Sequence, residues 1–596
     1  MAFLERITRY LNRILMFIAG LFLLAMIFLT CANVFLRLVW VPVSGTFELM
    51  GYFGAVLTAF ALGYTQVRKG HIAVDIVVNG FSDRKKKILN VVNHLICMVF
   101  FALTAWQIAQ YATTLMETGE VTETLHIIYY PFTYGVALGC AVLSLVFLTE
   151  FLKTILKTGR LSRECHTYWN HWHRYPPPGS FLLGMPVGFA MGIVGFCGFW
   201  YVVSFEAAIT VVGTDIWGTF SKYGLTVVPL FIFLGYLAFN SGIAERLYNA
   251  AYKWFGHWRG GLAIATIGAD ELFAAICGSN TATAATMGTV ALPQMTKYHY
   301  DTRLSSGTVV TGGTLGTVMP PSVVLIVIGL QTKQSIIKLF LGGILPAVLL
   351  GILFVLTIVT LCRIYPHFGP AGPKTSLREK LVALVGVIEA VAIFVLVIGG
   401  LYLGLFTPTE AGAVGVFFTL LVTVGTGRLK WRGFIDSIRE SLKISCMVFF
   451  LVTGAIIFGR FLAVTRLPFM VAEFASGLPV SPYLILTFIL LIYLLGGCFI
   501  DSLGFLVLTI PIFFPLGIAL GFDPIWYAIL LTMVTTMGAI TPPVGVNIYV
   551  VKALAPEIEL GTIFKSVSFF LMACIVSIIL LIIFPQIVLF IPNMAQ

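Results

Sequence analysis

A chain of 596 residues in which 59% of side chains are apolar and 10% charged, with mean hydropathy +1.00, excludes a soluble protein. The net charge of +11 would suit nucleic acid, but the lysines and arginines gather in a few short loops between long apolar runs. That is the pattern of a polytopic helical membrane protein, for which membrane lipid is the expected surrounding and no nucleic-acid partner is expected.

Four apolar segments, near 14–37, 47–66, 88–116 and 131–152, predict an N-terminal four-helix membrane domain over 1–158. Arg6, Arg9 and Arg13 precede the first, which puts the N-terminus in the cytoplasm by the positive-inside rule. Arg68, Lys69 and Arg84–Lys87 follow the second segment, and Lys153, Lys157, Arg160 and Arg163 follow the fourth. Residues 38–46 and 117–130, on the other side, hold no Lys or Arg. The apolar run from Ile14 is too long for a cleavable signal and has no small-residue cleavage site after it.

Residues 159–180 (GRLSRECHTYWNHWHRYPPPGS) read as a cytoplasmic linker. Cys165, His166, His171 and His173 lie there at irregular spacing beside a triple proline, so no metal site is expected. The ten cysteines of the chain show no CxxC spacing and read as small packing residues. A larger unit, 181–596, follows, with apolar segments near 181–205, 224–241, 259–276, 303–330, 336–362, 379–404, 411–426, 444–464, 482–498, 525–551 and 562–592. Two basic amphipathic pieces, 244–261 and 427–443, suit helices lying in the membrane interface.

Within this unit the stretch from Cys277 to Ser322 stands out. It combines Ser279, Asn280, Thr281, Thr283, Thr314 and Thr317 with glycines and the pair Pro320–Pro321, amid apolar neighbours. Such backbone is poor membrane helix, and at that depth it survives only where it is buried in protein or lines a cavity. Its freed carbonyls and hydroxyls are the hard oxygen ligands a small cation takes. The stretch recurs at an offset of 222, which carries Pro293 to Pro515, Gly316 to Gly538, Pro320–Pro321 to Pro542–Pro543, Asp301 to Asp523 and Ser279 to Asp501. The two repeats span about 273–330 and 495–552. Interrupted segments at matching places in two halves point to the binding site of a secondary transporter.

Asp501, in GGCFIDSLG, is a carboxylate deep in an apolar segment. It has either a functional cation or a structural partner, for which Arg460 is a candidate. Asp270 and Glu271 sit next to the first broken segment and Glu410 lies in LFTPTEAGAVG; these acids suggest cation or proton coupling without saying which. No P-loop, GxSxG or HExxH motif appears in a suitable context, and an enzyme is not expected.

These residues carry a resemblance. The runs VVPLFIFLGYLAFNSGIAERL (227–247), GHWRGGLAIAT (256–266), FAAICGSNTA (273–282), GGTLGTVMPPS (312–322), LFTPTEAGAV (405–414) and TPPVGVN (541–547) resemble the M-type subunit of the tripartite ATP-independent periplasmic (TRAP) transporters. The first 158 residues resemble the small Q-type subunit through NVFLRLVW, Glu48 and VRKGHIAVDIV (67–77). The chain therefore looks like the fused form, departing from it at the acidic pair Asp270–Glu271.

The resemblance implies an all-α elevator-type secondary transporter with inverted repeats, two re-entrant hairpins and broken helices. It implies sodium as the coupling ion, a periplasmic substrate-binding protein as partner and a small organic anion, a carboxylate or sulfonate, as substrate. It places the chain in the bacterial inner membrane. One sodium site is expected at Ser279, Asn280, Gly316 and Pro321, and another at Thr317, Asp501, Gly538 and Thr541. Thr281, Thr314, Met319 and Asn547 are the expected substrate contacts. The alternatives are a stand-alone sodium- or proton-coupled anion symporter and, from another class, an ion channel.

Overall fold

The computed structural model describes residues 2–72, 82–156 and 184–594; the linker expected at 159–180 and the run beyond Ile72 lie outside them. Among the described residues the chain is helical throughout, apart from turns and one isolated bridge between Val121 and Ile128. Thirteen helical stretches among the described residues are long and apolar enough to cross a membrane. Between its ends a helix closes its backbone hydrogen bonds within itself, which is what an apolar surrounding demands.

In chain order the helices are α1 (Ala2–Val39), α2 (Thr46–Val67), α3 (Asp83–Thr118), α4 (Tyr130–Leu156), α5 (Val187–Val202), α6 (Phe205–Phe220), α7 (Val227–Asn240) and α8 (Ile243–Phe255). Then come α9 (Gly261–Cys277), α10 (Asn280–Lys297), α11 (Thr302–Gly312), α12 (Leu315–Val318), α13 (Val323–Thr332), α14 (Ile336–Ile364) and α15 (Leu377–Phe394), which continues through a π turn. The last are α16 (Pro408–Gly425), α17 (Trp431–Val464), α18 (Leu467–Ser476), α19 (Pro482–Phe499), α20 (Ser502–Ala519), α21 (Pro524–Gly538), α22 (Val546–Leu554), α23 (Leu560–Ile583) and α24 (Gln586–Met594).

Several elements differ from the sequence expectation, among them α18, which lies between two expected segments. Helix α6 was not expected, because Glu206, Thr210, Thr214 and Asp215 dilute its apolar pattern. The basic piece at 427–443 is not a separate helix, because its regular part forms the start of the 34-residue α17, with no break near Lys443. The piece at 244–261 does stand apart as α8, set off by Gly242 (φ 74°) and Gly260 (φ 72°), conformations that glycine adopts without cost.

Contacts gather the chain into two compact units, Met1–Pro229 with Arg439–Leu467, and Leu230–Ile438 with Pro468–Gln596. Contacts thus group the residues differently from sequence likeness, with the second half of α17 joining the N-terminal helices. In the first unit α5 lies close against α17. A methyl added at Gly454 would fall 2.1 Å from the Gly188 carbonyl oxygen, the close backbone approach that small residues allow between membrane helices. The rings of Phe101, Phe147, Phe189 and Phe450 fill the space beside this crossing. Asp215 on α6 takes both ends of the Arg460 guanidinium at 3.1 and 3.2 Å. Glu48, in the first turn of α2, accepts from the backbone of Thr124 (2.7 Å) and Leu125 (3.2 Å), which ties down the loop before α4.

The second unit holds both broken segments. The 222-residue offset extends to whole elements there: added to the bounds of α10 it gives the bounds of α20. It also carries α8 onto α18, α9 onto α19, α13 onto α22 and α14 onto α23, within a few residues at each end. Glu389 of α15, nearly buried, holds Arg246 of α8 (2.5 Å) and Arg428 (2.8 Å), a shared-acid clamp within this unit.

Candidate functional site

The first broken segment begins where α9 stops. Gly278 adopts φ 65°, and a methyl there would lie 2.4 Å from the Pro321 carbonyl oxygen. Ser279 then caps α10, its side chain accepting from the Ala282 N–H at 3.5 Å. Its carbonyl accepts from the Thr283 hydroxyl at 2.8 Å. Asn280 is buried; its Oδ1 accepts from the Thr281 N–H at 2.7 Å while Nδ2 has no partner.

The chain returns through α11, breaks at Gly312–Thr314, makes the single turn α12 and passes the cis Pro320–Pro321 bond before α13. Gly316 and Gly313 press on the Ser279–Asn280 backbone. A methyl at Gly316 would sit 2.5 Å from the Ser279 oxygen, and one at Gly313 would sit 3.0 Å from the Asn280 oxygen. The Val323 N–H closes the site back onto Gly278 O at 3.4 Å. Ser279, Asn280, Gly316 and Pro321 are therefore brought together.

The second copy has the same plan with different chemistry. Asp501 caps α20 through an acceptor bond from the Leu503 N–H at 3.1 Å. Helix α21 ends at Gly538, and the chain crosses the cis Pro542–Pro543 bond to α22. The Gly545 N–H reaches Cys498 O at 3.2 Å, at the place matched to Val323. Gly538 meets Gly497 backbone to backbone, four residues before Asp501. The Thr541 hydroxyl donates to Met537 O at 2.7 Å. Helix α12, which carries Thr317, packs on α21, and α13 packs on both α20 and α21. Asp501, Gly538 and Thr541 thus belong to one break, with Thr317 on the helix that packs beside it. Arg460, the candidate structural partner of Asp501, is bound by Asp215 instead.

The expected substrate positions divide. Thr314 lines a narrow cleft with Val318, Met533, Thr536 and Met537. Thr281 neighbours Ser279, their hydroxyls 3.4 Å apart. Met319 is buried just before the cis proline pair. Asn547 is fully buried and donates to Val310 O at 3.3 Å, leaving its Oδ1 without a partner.

Thr536 was missed in the sequence, although the 222 offset from Thr314 points to it. Glu410 forms a capping box with Thr407, which accounts for its burial at the start of α16.

The donor set at both breaks consists of hydroxyl, carbonyl and carboxylate oxygens, which fits a hard cation such as sodium. The model of the tripartite ATP-independent periplasmic transporter DctM component matches residues 180–587, more than half of the chain. The chain belongs to the TRAP transporter family. The DctQ component model matches residues 26–157, so both membrane components stand in one chain.

Among similar proteins, the C4-dicarboxylate TRAP transporter large permease protein DctM of Pseudomonas aeruginosa is 34% identical over 376 residues, covering 63% of this chain and 87% of its own. The sialic acid TRAP transporter large permease protein SiaM of Vibrio cholerae is 31% identical over 419 residues, 70% of this chain and 96% of its own. The isethionate TRAP transporter permease protein DctMQ of Oleidesulfovibrio alaskensis is 31% identical over 380 residues, 63% of this chain and 59% of its own.

Proposed function

We propose that this TRAP permease is a sodium-coupled importer that takes a small organic anion from a periplasmic binding protein. The observation that carries the reading is the paired break, in which matched helices stop inside the fold and turn backbone and side-chain oxygens toward packed glycines. The first sodium ion would be held by Ser279, Asn280, Gly316 and Pro321. The second would be held by Thr317, Asp501, Gly538 and Thr541, where the carboxylate supplies the charge.

The N-termini of α10 and α20 begin at these breaks, and oriented N–H groups there favour an anion. Thr281, Thr314, Met319 and Asn547 would meet the substrate. A carboxylate or sulfonate is the class its relatives' names support, since those proteins are named for C4-dicarboxylate, sialic acid and isethionate. The broken segments would move as one body against the rest of the protein, the elevator mode. The basic loops support a cytoplasmic N-terminus, and the family supports the inner membrane as the chain's location.

The test is uptake by proteoliposomes holding the purified chain, with and without the cognate binding protein. An inward sodium gradient should drive uptake of the anion, potassium should not replace it, and uptake should need the binding protein. Uptake driven as well by a proton gradient alone would overturn sodium coupling. Robust uptake by the chain alone would favour a stand-alone symporter.

A further inference from the structure

Helix α9 carries two adjacent acids with no counterion among the described residues. Asp270 is fully buried and neither of its oxygens has a hydrogen-bond partner. Both Glu271 oxygens are likewise buried and unpartnered. The two side chains point to different neighbours. Asp270 Oδ2 would be 1.9 Å from a methyl at Gly312 on α11, and Glu271 Oε2 would be 2.7 Å from one at Gly351 on α14. The Asp270 carboxyl therefore lies against the backbone of the very turn whose next residue, Gly313, presses on Asn280. Consecutive Cα atoms are about 3.8 Å apart, so the carboxyl and the Asn280 backbone flank one short Gly-Gly unit.

Among the described residues, the elements packed on α9 bring no cation to Asp270. From α8, Tyr252 is bonded to Tyr298, and Arg246 is held by Glu389 of α15. Tyr300, in the turn between α10 and α11, accepts from the Leu262 N–H, eight residues before Asp270 along α9. Cys362 of α14 lies against Gly260, at the helix start. Lys297 of α10 lies over the Tyr298 ring and Arg303 of α11 over Phe368. Tyr248 of α8 brings a buried hydroxyl and no charge, and the residue next to Asp270 in the chain is Glu271, another acid.

We propose that Asp270 is a proton-binding site linked to the sodium site across the Gly312–Gly313 turn. It holds a proton when that turn is empty of sodium and releases it when sodium binds. A buried carboxylate with neither donor nor cation is costly, and the neighbouring Glu271 raises that cost, so the resting group is neutral. A cation arriving on the far side of one Gly-Gly unit favours the charged form. By linkage, sodium then binds more weakly as the solution is acidified. The inference rests on the sodium reading of Ser279, Asn280, Gly316 and Pro321.

The test is proton release from the detergent-purified full chain in weakly buffered solution, read with a pH dye as sodium chloride is added against a choline chloride control. Sodium binding is followed in parallel by thermal stabilisation. Wild type should release up to about one proton per chain, with apparent sodium affinity falling by up to about tenfold for each pH unit lowered. Asp270→Asn should bind sodium without release and with a flat pH dependence, while Glu271→Gln should still release. Should Asp270→Asn fail to fold, infrared difference spectra of the wild type decide. Loss of a protonated-carboxyl band on sodium addition supports the proposal, and an unchanged band overturns it. Sodium binding with no proton release overturns the proposal and leaves the sodium reading standing. No sodium binding overturns both.

Discussion

The two broken segments share one plan and differ in chemistry. Matched helices α10 and α20 begin behind a side-chain cap, matched returns end in a cis proline pair, and a backbone bond closes each break. In the first copy the cap is Ser279, and neutral oxygens surround it. In the second the cap is Asp501. The first copy has its acid elsewhere, at Asp270, one layer behind the turn. Duplication thus fixes where the backbone opens, while single substitutions decide where the negative charge sits.

The largest expected effect follows from that asymmetry. Asp501→Asn keeps the cap geometry and removes the charge, so sodium affinity should fall on the order of a hundredfold, the loss of one carboxylate–cation contact in a low-dielectric site. Thermal stability should stay near that of the wild type, because a neutral amide is cheaper to bury than a charge and no buried cation is stranded. Ser279→Ala removes only a neutral hydroxyl and should shift the sodium curve by a few fold. Equal shifts in the two variants would break the comparison, and an unchanged curve for Asp501→Asn would remove that residue from the site.

The next effect concerns the glycines. Gly316 faces the Ser279 backbone and Gly538 faces the Gly497 backbone, and a methyl would meet backbone atoms at 2.5–2.6 Å in both places. Backbone cannot rotate away as a side chain can. Gly316→Ala and Gly538→Ala should each cost about 1–3 kcal/mol in thermal unfolding, the cost of overpacking a filled core. Gly268, with open space around its Cα, serves as control. A Gly316→Ala protein as stable as wild type would show that the break is looser than its glycines suggest.

Much of this was legible in the sequence, for a physical reason. Adjacent prolines flanked by glycines and hydroxyls cannot continue a membrane helix, so Pro320–Pro321 and Pro542–Pro543 stood out at a fixed offset and located the two breaks. What could not be read was pairing. Arg460 looked like a partner for Asp501 because both sit in apolar sequence, yet Asp215, on a helix hidden by its own polar residues, holds it. The local partner of Glu410 was equally hidden: its carboxylate accepts from the Thr407 N–H at 2.9 Å in a cap. The start of α17 looked like a separate surface helix because its basic residues mask a continuous helical run. Hydropathy reports which residues enter the membrane and says nothing of which neighbour meets them.

The smallest effect tests the comparison one turn further on, at the start of the returning helices. Asp301 and Asp523 are matched by the 222 offset and both serve as N-caps. Asp301 accepts one backbone N–H, from Arg303 at 2.8 Å. Asp523 accepts two, from Ile525 at 2.9 Å and Trp526 at 3.0 Å, and Pro524 follows it at the first helical position. A lost N-cap costs about 1 kcal/mol, and each further orphaned N–H adds to that. Asp523→Ala should therefore lower the unfolding temperature more than Asp301→Ala, with neither moving the sodium curve, since both caps lie a full helix away from the breaks. If Asp301→Ala proves the costlier change, the first return is the more tightly held of the two, and the ranking drawn from their hydrogen bonds is wrong.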